Sequence, residues 1–246
     1  NLFDDPTVAF DELVSFASEQ PTRLLSEQLR TLFEWATRRA GKTVWIERSG
    51  GTLAQLPELL ELFPNARFLH LHRDPFDVAR SMKQHNHMRL FALQHYGLTT
   101  KDGLSWADLD ETDLNDDGPM SARLQSLFDL DVPLEIFLRD WNEMVLRGFA
   151  SVKRLEVEQY SEVSFEDLQA DPKSVLRHIV EFFDLPGDDA WMKEAVGLLT
   201  PGKAGRATPS PQEAETLRTY CHPALVLLDR EISRPSAGNQ FSRDDA

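Results

Sequence analysis

One cysteine, Cys221, is all the thiol chemistry in a chain of 246 residues. An internal disulfide framework and a cysteine-built zinc cage are both excluded, and a reducing, cytoplasmic interior is the expected compartment. Apolar runs are short. Nothing approaches the about 20 consecutive apolar residues of a membrane span, and no basic stretch followed by an apolar one opens the chain as a secretory signal would. Basic residues are outnumbered, 26 Lys and Arg against 41 Asp and Glu, for a formal charge of −15. Broad binding to nucleic acid or to an anionic membrane surface needs the opposite sign, whereas a small local anion site is compatible with it. Three catalytic signatures are also missing. There is no Gly-x-Ser-x-Gly elbow of a serine hydrolase, no Gly-x-Gly-x-x-Gly fingerprint and no intact Gly-x-x-x-x-Gly-Lys-Ser/Thr loop.

What is present is the composition of an ordinary globular protein, 41% hydrophobic and 27% charged. The length suits one α/β domain spanning 1–246. Helical spacing of Leu24, Leu25, Leu29, Leu32, Phe33 and Ala36 predicts a helix after Pro21, stopped by Gly41. Thr43-Val44-Trp45-Ile46 is a short β-branched and aromatic run, predicted as a buried strand, and a helix follows to about Phe63. Residues 67–72 are a second predicted strand. Asp74 and Pro75 then supply an N-cap and an N1 proline for a helix running to about Met88. Strand, helix, strand, helix over 43–88 argues for a parallel sheet flanked by helices. Further on, Ile136, Phe137, Trp141, Val145 and Phe149 make the apolar stripe of a long helix, and 160–165 is a third strand. Helices are predicted over 172–184, 191–199 and 211–232, with a frayed tail over 233–246. Residues 97–118 carry seven acids against Lys101 alone. They are predicted to be an exposed, mobile loop, without the central Gly and terminal Glu of a calcium loop.

Arg73 stands at the carboxyl end of a predicted strand, where open α/β sheets bind ligands. Ser81 lies about two turns into the next helix. A guanidinium offers a planar fork for phosphate and a hydroxyl adds one more donor, so the pair makes a metal-free phosphate clamp. The same segment also suits an ordinary ion pair of Arg73 with Asp74 or Asp77.

Arg73-Asp74-Pro75…Asp77-Val78-Ala79…Ser81 resembles the sulfotransferase family, which moves a sulfuryl group from 3′-phosphoadenosine 5′-phosphosulfate (PAPS) and releases the bisphosphate (PAP). Trp45-Ile46-Glu47-Arg48-Ser49-Gly50-Gly51 resembles a segment of its bacterial members. Tyr160 to Leu168, with Asp171-Pro172 and Phe182 to Pro186, is similar to its late strand and helix. The resemblance runs over about 42–232. It implies a sulfotransferase fold related to P-loop NTPases, with Arg73 and Ser81 on the 3′-phosphate of the donor. It also implies that the basic glycine loop at Lys203 and Arg206 closes over the nucleotide. The family's early phosphosulfate loop is not found before residue 43. The expectation is an N-terminally incomplete fold, inactive alone, whose loop is encoded upstream of Asn1. The rival is that Arg48-Ser49-Gly50-Gly51-Thr52 serves instead.

Sulfuryl transfer needs a base for the acceptor and positive or N–H groups for the leaving phosphate. Glu47, closing the 43–46 strand, is the candidate base, and a salt bridge to Arg48 or Arg73 is its alternative. His85, His87 and His95 follow the Ser81 helix as candidates for the acceptor border. They do not complete a ligand set, so no metal is expected. The acceptor is expected to be a small molecule, glycan or lipid bearing a hydroxyl or amine, with no nucleic-acid partner and the oligomeric state open. The competing readings are an ATP-dependent phosphotransferase of related fold and a degenerate nucleotide-binding domain without catalysis.

Overall fold

The computed structural model describes residues 5–114, 118–199 and 209–232. The chain divides into two compact units, Asn1–Ala66 and Arg67–Ala246.

The first unit is helical. Asp5 caps α1 (Pro6–Ser18) by accepting from the amides of Thr7 and Val8 at 3.0 and 3.1 Å. A second helix, α2 (Leu25–Arg39), is tied to it by Arg39 Nε on Glu12 Oε2 at 2.6 Å and by Phe16 stacked on Trp35. A 3₁₀ turn at Thr52–Gln55 leads into α3 (Leu56–Leu62), whose first turn holds Pro57. The strand predicted over 43–46 does not form. Among the described residues this segment has no ladder partner, and Val44 and Ile46 remain exposed. Trp45 is instead stacked on Phe33, with ring centroids 4.4 Å apart, and set edge-on to Phe63. Aromatic packing takes the place of strand pairing there.

In the second unit β1 (Phe68–His72) pairs in parallel with β2 (Tyr160–Ser164), in the register Phe68↔Tyr160, His70↔Glu162, His72↔Ser164. The architecture is mixed α/β, mostly helical, with a small parallel sheet. Pro75–Gln84 is α4, capped by the Asp74 carboxylate, which accepts from Phe76 N and Asp77 N at 2.9 and 3.2 Å. The helix expected to continue to Met88 stops early. His85 turns extended (φ −93, ψ 121), and α5 restarts at Asn86–His95. Arg89 explains the bend. Its guanidinium reaches back to the carbonyl of Lys83 and across to those of Phe128 and Leu130, joining α5 to the end of α6 (Ala122–Phe128).

The long helix α7 (Leu134–Val152) buries Phe137, Trp141, Val145 and Phe149, as its stripe predicts. Short α8 (Phe165–Ala170) follows β2, and α9 (Pro172–Phe182) and α10 (Asp189–Leu198) come next. Finally α11 (Pro211–Ile232) packs, with α4, against α7. Pro223 interrupts the ladder inside α11, and Ala224 N donates to buried Asn142 Oδ1 of α7 at 3.1 Å. Part of the acidic segment is tied down. Asp113 is 6% exposed and meets Arg123 Nη1 at 2.6 Å, while Asp108 caps the turn at Ser105. The tail 233–246 lies outside the described residues.

Candidate functional site

Both strands of the sheet end at one edge, and each runs directly into a capped helix. Asp74 caps α4 after β1. Ser164 caps α8 after β2, its hydroxyl accepting from Asp167 N at 2.9 Å. The two turns are joined by Glu166 Oε1, which accepts from Asp74 N at 3.2 Å. In open α/β sheets ligands commonly bind beyond the carboxyl ends of the strands, which makes this end the candidate site.

Arg73 sits at that edge. Its Nη2 pairs with Asp77 Oδ2 at 3.0 Å, and its guanidinium lies 4.9 Å from the centroid of the Phe165 ring. The ion pair that the sequence allowed is thus formed with Asp77 rather than Asp74. Stacking and pairing fix the plane of the fork, and the pair is partly shielded, with the Arg73 side chain 34% exposed and that of Asp77 18%. Arg73 Nε is buried and has no hydrogen-bond partner. A buried N–H of that kind is rare in folded proteins, and on a guanidinium it suits an anionic oxygen. Ser81 stands one helical turn beyond Asp77 and is half-buried. Side chains four apart on a helix share a face, with Cβ atoms roughly 5–6 Å from one another. Asp77 and Ser81 therefore share a face of α4, and Arg73 meets that helix through its pair with Asp77.

Behind this edge lies a half-buried polar group. Tyr160 Oη donates to Glu162 Oε1 at 2.8 Å and sits 3.2 Å from His70 Nδ1. The Phe149 ring meets His70 and Tyr160 edge-on. Burial, then the charge of nearby His72, pushes the His70 imidazole down from 6.5 to about 3. His70 is accordingly neutral at neutral pH and too weak a base to take an acceptor proton. His72 is also lowered by burial, against the opposing pull of Glu166 and Asp167.

This has a consequence for stability. A histidine buried neutral is protonated more readily in the unfolded chain, so its contribution is fully present above pH 6.5 and is lost as pH falls toward 3. Between pH 6.5 and 5 the loss is about 2 kcal/mol by linkage. Urea titrations of wild type and His70→Gln at both pH values should show a shallower pH slope in the variant. Parallel slopes would contradict a neutral buried His70.

The remaining expected site residues are placed differently. Glu47, Arg48 and Ser49 lie in the first unit on an exposed segment. Glu47 does not close a strand, because none forms at 43–46. Its carboxylate accepts from Thr52 Oγ1 at 3.3 Å, and Ser49 Oγ accepts from Gly51 N at 3.3 Å. Lys203 and Arg206 lie outside the described residues. The His85 and His87 rings are exposed with centroids 5.7 Å apart, His85 marking the helix break, and His95 stacks on Phe91. Among the described residues no group of three or more His, Cys, Asp or Glu could hold a metal ion, and no helix is long and apolar enough to cross a membrane. Sequence reading missed Phe165 and Glu166, which complete the edge from the second strand. The alternation of His70 and His72 along their strand did suggest that one of them is shielded and hydrogen-bonded, as His70 is, but its partners Tyr160 and Glu162 on β2 were missed.

Residues 6–114 match the sequence model of the sulfotransferase family. The matched stretch contains the Trp45–Gly51 segment and the whole of Arg73…Ser81, so the resemblance seen in those residues is borne out. The similarity of 160–186 lies beyond the match and stands on the residues alone. No curated protein matches the chain. A sulfotransferase match supports sulfuryl transfer in general, and the mixed α/β architecture with its parallel strands is consistent with that fold.

Proposed function

We propose that the chain binds PAPS and passes its sulfuryl group to an acceptor hydroxyl or amine, with Arg73 and Ser81 gripping the 3′-phosphate of the donor. The observation that carries this is the buried, unpartnered Nε of Arg73 at the carboxyl end of β1, paired with Asp77, which stands one turn before Ser81 on α4. Asp77 and Phe165 act as positioning groups: they hold the guanidinium in one orientation, which lowers the ordering cost when phosphate arrives. In the transfer itself the acceptor oxygen or nitrogen attacks sulfur, the bridging S–O bond breaks toward the phosphate, and PAP leaves with the electron pair. The acceptor proton goes to a carboxylate, for which Glu47 is the proposed base. Arg48, Ser49, Lys203 and Arg206 are the proposed further contacts to the donor.

A thermal-shift series tests the assignment. Stabilisation by RT ln(1 + [L]/Kd) is about 2.7 kcal/mol at a hundred times Kd, so saturating PAP should raise Tm by several degrees. ATP with Mg²⁺ should raise it much less. A response to ATP with Mg²⁺ alone would point to phosphoryl transfer. No response to either nucleotide would contradict donor binding by this chain.

A further inference from the structure

The second unit contains an open cavity of about 790 Å³ alongside the C-terminal half of α4. That volume is in the range of small-molecule sites. Arg80 and Gln84 project into it from the helix that carries Asp77 and Ser81. Arg89 comes from α5, Gln125 and Phe128 from α6, and Glu213 from α11. Arg80 immediately precedes Ser81, so the cavity and the Asp77–Ser81 face are neighbouring faces of one helix.

The wall contains three cations, yet each is already engaged. Arg80 Nη2 lies 3.6 Å from Glu213 Oε1, and Lys83 Nζ lies 2.6 Å from Asp131 Oδ1. Arg89 spends its donors on the carbonyls of Lys83, Phe128 and Leu130. An anion entering here would have to displace a carboxylate, in a chain of net charge −15. What the wall offers freely is amide chemistry from Gln84 and Asn86, each able to donate and accept, and the carbonyl of Gln125, whose Nε2 donates to Asp129 Oδ1 at 2.8 Å, next to the apolar surface of Phe128 and Leu134. A ligand that both donates and accepts at many points, carries no charge and has one apolar face is a sugar.

We infer that this cavity is the acceptor subsite and that the acceptor is a neutral carbohydrate whose hydroxyl receives the sulfuryl group. The inference rests on the donor reading above, and it adds the class of acceptor and the residues that hold it. Gln84 and Gln125 are both exposed, so replacing either with Leu removes a hydrogen-bonding group without disturbing packed core.

The test uses the full chain and a panel of neutral disaccharides (maltose, cellobiose, lactose and trehalose), with glucuronic acid as the charged comparison. Saturation-transfer NMR and calorimetry read sugar binding, and calorimetry with PAP reads the donor edge separately. At least one disaccharide should bind with a Kd of about 1 mM or tighter, and Gln84→Leu and Gln125→Leu should each weaken it about tenfold or more while PAP affinity stays unchanged. Binding of PAP with no disaccharide bound, or with glucuronic acid preferred, overturns the carbohydrate inference and leaves the donor reading standing. Disaccharide binding that survives both Leu variants also overturns the cavity assignment. Disaccharide binding sensitive to both variants, in a chain that ignores PAP, supports the sugar site and refutes the donor reading instead.

Discussion

Arg73→Ala is expected to lose about 100-fold or more in affinity for adenosine 3′,5′-bisphosphate, corresponding to about 2.7 kcal/mol or greater. Affinity for adenosine 5′-monophosphate is expected to change by less than about threefold. The asymmetry follows from position. The guanidinium stands at the end of β1, its plane fixed by Asp77 on one side and the Phe165 ring on the other, with Nε buried and unpartnered. A phosphate at that point engages a pre-oriented fork, and truncation to Ala removes both the charge and the geometry. Arg73→Lys should fall between the two, because an ammonium keeps the charge and loses the fork. Removing Arg73 also leaves Asp77 without its partner, and this costs stability. Far-UV circular dichroism and a melting curve must therefore accompany the calorimetry. Equal losses for the bisphosphate and the monophosphate in a folded variant would remove Arg73 from the 3′-phosphate.

Phe149→Ala is expected to destabilise the protein by about 3–5 kcal/mol, the range for truncating a fully buried aromatic ring. For a chain of this size that is a fall in Tm of roughly 6–20 °C. Phe149 is 1% exposed on α7, and its ring covers the edges of His70 and Tyr160. Its removal opens a cavity beside polar atoms, which water can enter. The acid sensitivity attributed to His70 depends on the same ring keeping water out, so the variant should also lose much of its stability difference between pH 6.5 and 5. Denaturant unfolding at the two pH values reads both effects. A change below about 1 kcal/mol would mean that the site collapses around the missing ring, and that Phe149 does not hold the sheet's polar face as described.

How much of this was legible beforehand depends on whether each signal was local. The stripe Ile136 to Phe149 declared α7 because helical period and burial coincide. Asp74-Pro75 declared the start of α4 because cap and N1 proline are adjacent in sequence. Arg73 paired with Asp77 was equally readable, since both lie in one short segment. The failures arise where a distant partner decides. Thr43 to Ile46 has the composition of a strand, but a strand needs a neighbour, and Trp45 found aromatic rings instead. With that strand went the structural ground for placing Glu47 at a strand end. The break at His85 was invisible because its cause, Arg89 bonding to carbonyls of Phe128 and Leu130, crosses from another helix. Phe165 and Glu166 were overlooked for the same reason: they reach Arg73 and Asp74 only once β2 is laid beside β1. The alternation of polar residues was a local signal: along β1 it pointed to a hydrogen-bonded histidine at His70 or His72, while the partners on β2 became visible only once the strands were paired.

On the proposed function, Arg73 and Ser81 recognise a phosphate on the 3′ position of a nucleotide. Calorimetry of the intact wild-type chain with adenosine 3′,5′-bisphosphate and with adenosine 5′-monophosphate, side by side, tests it most directly. The bisphosphate is expected to bind at least about tenfold more tightly, a difference of about 1.4 kcal/mol contributed by the 3′ group. Equal affinities, or a preference for the monophosphate, would contradict it.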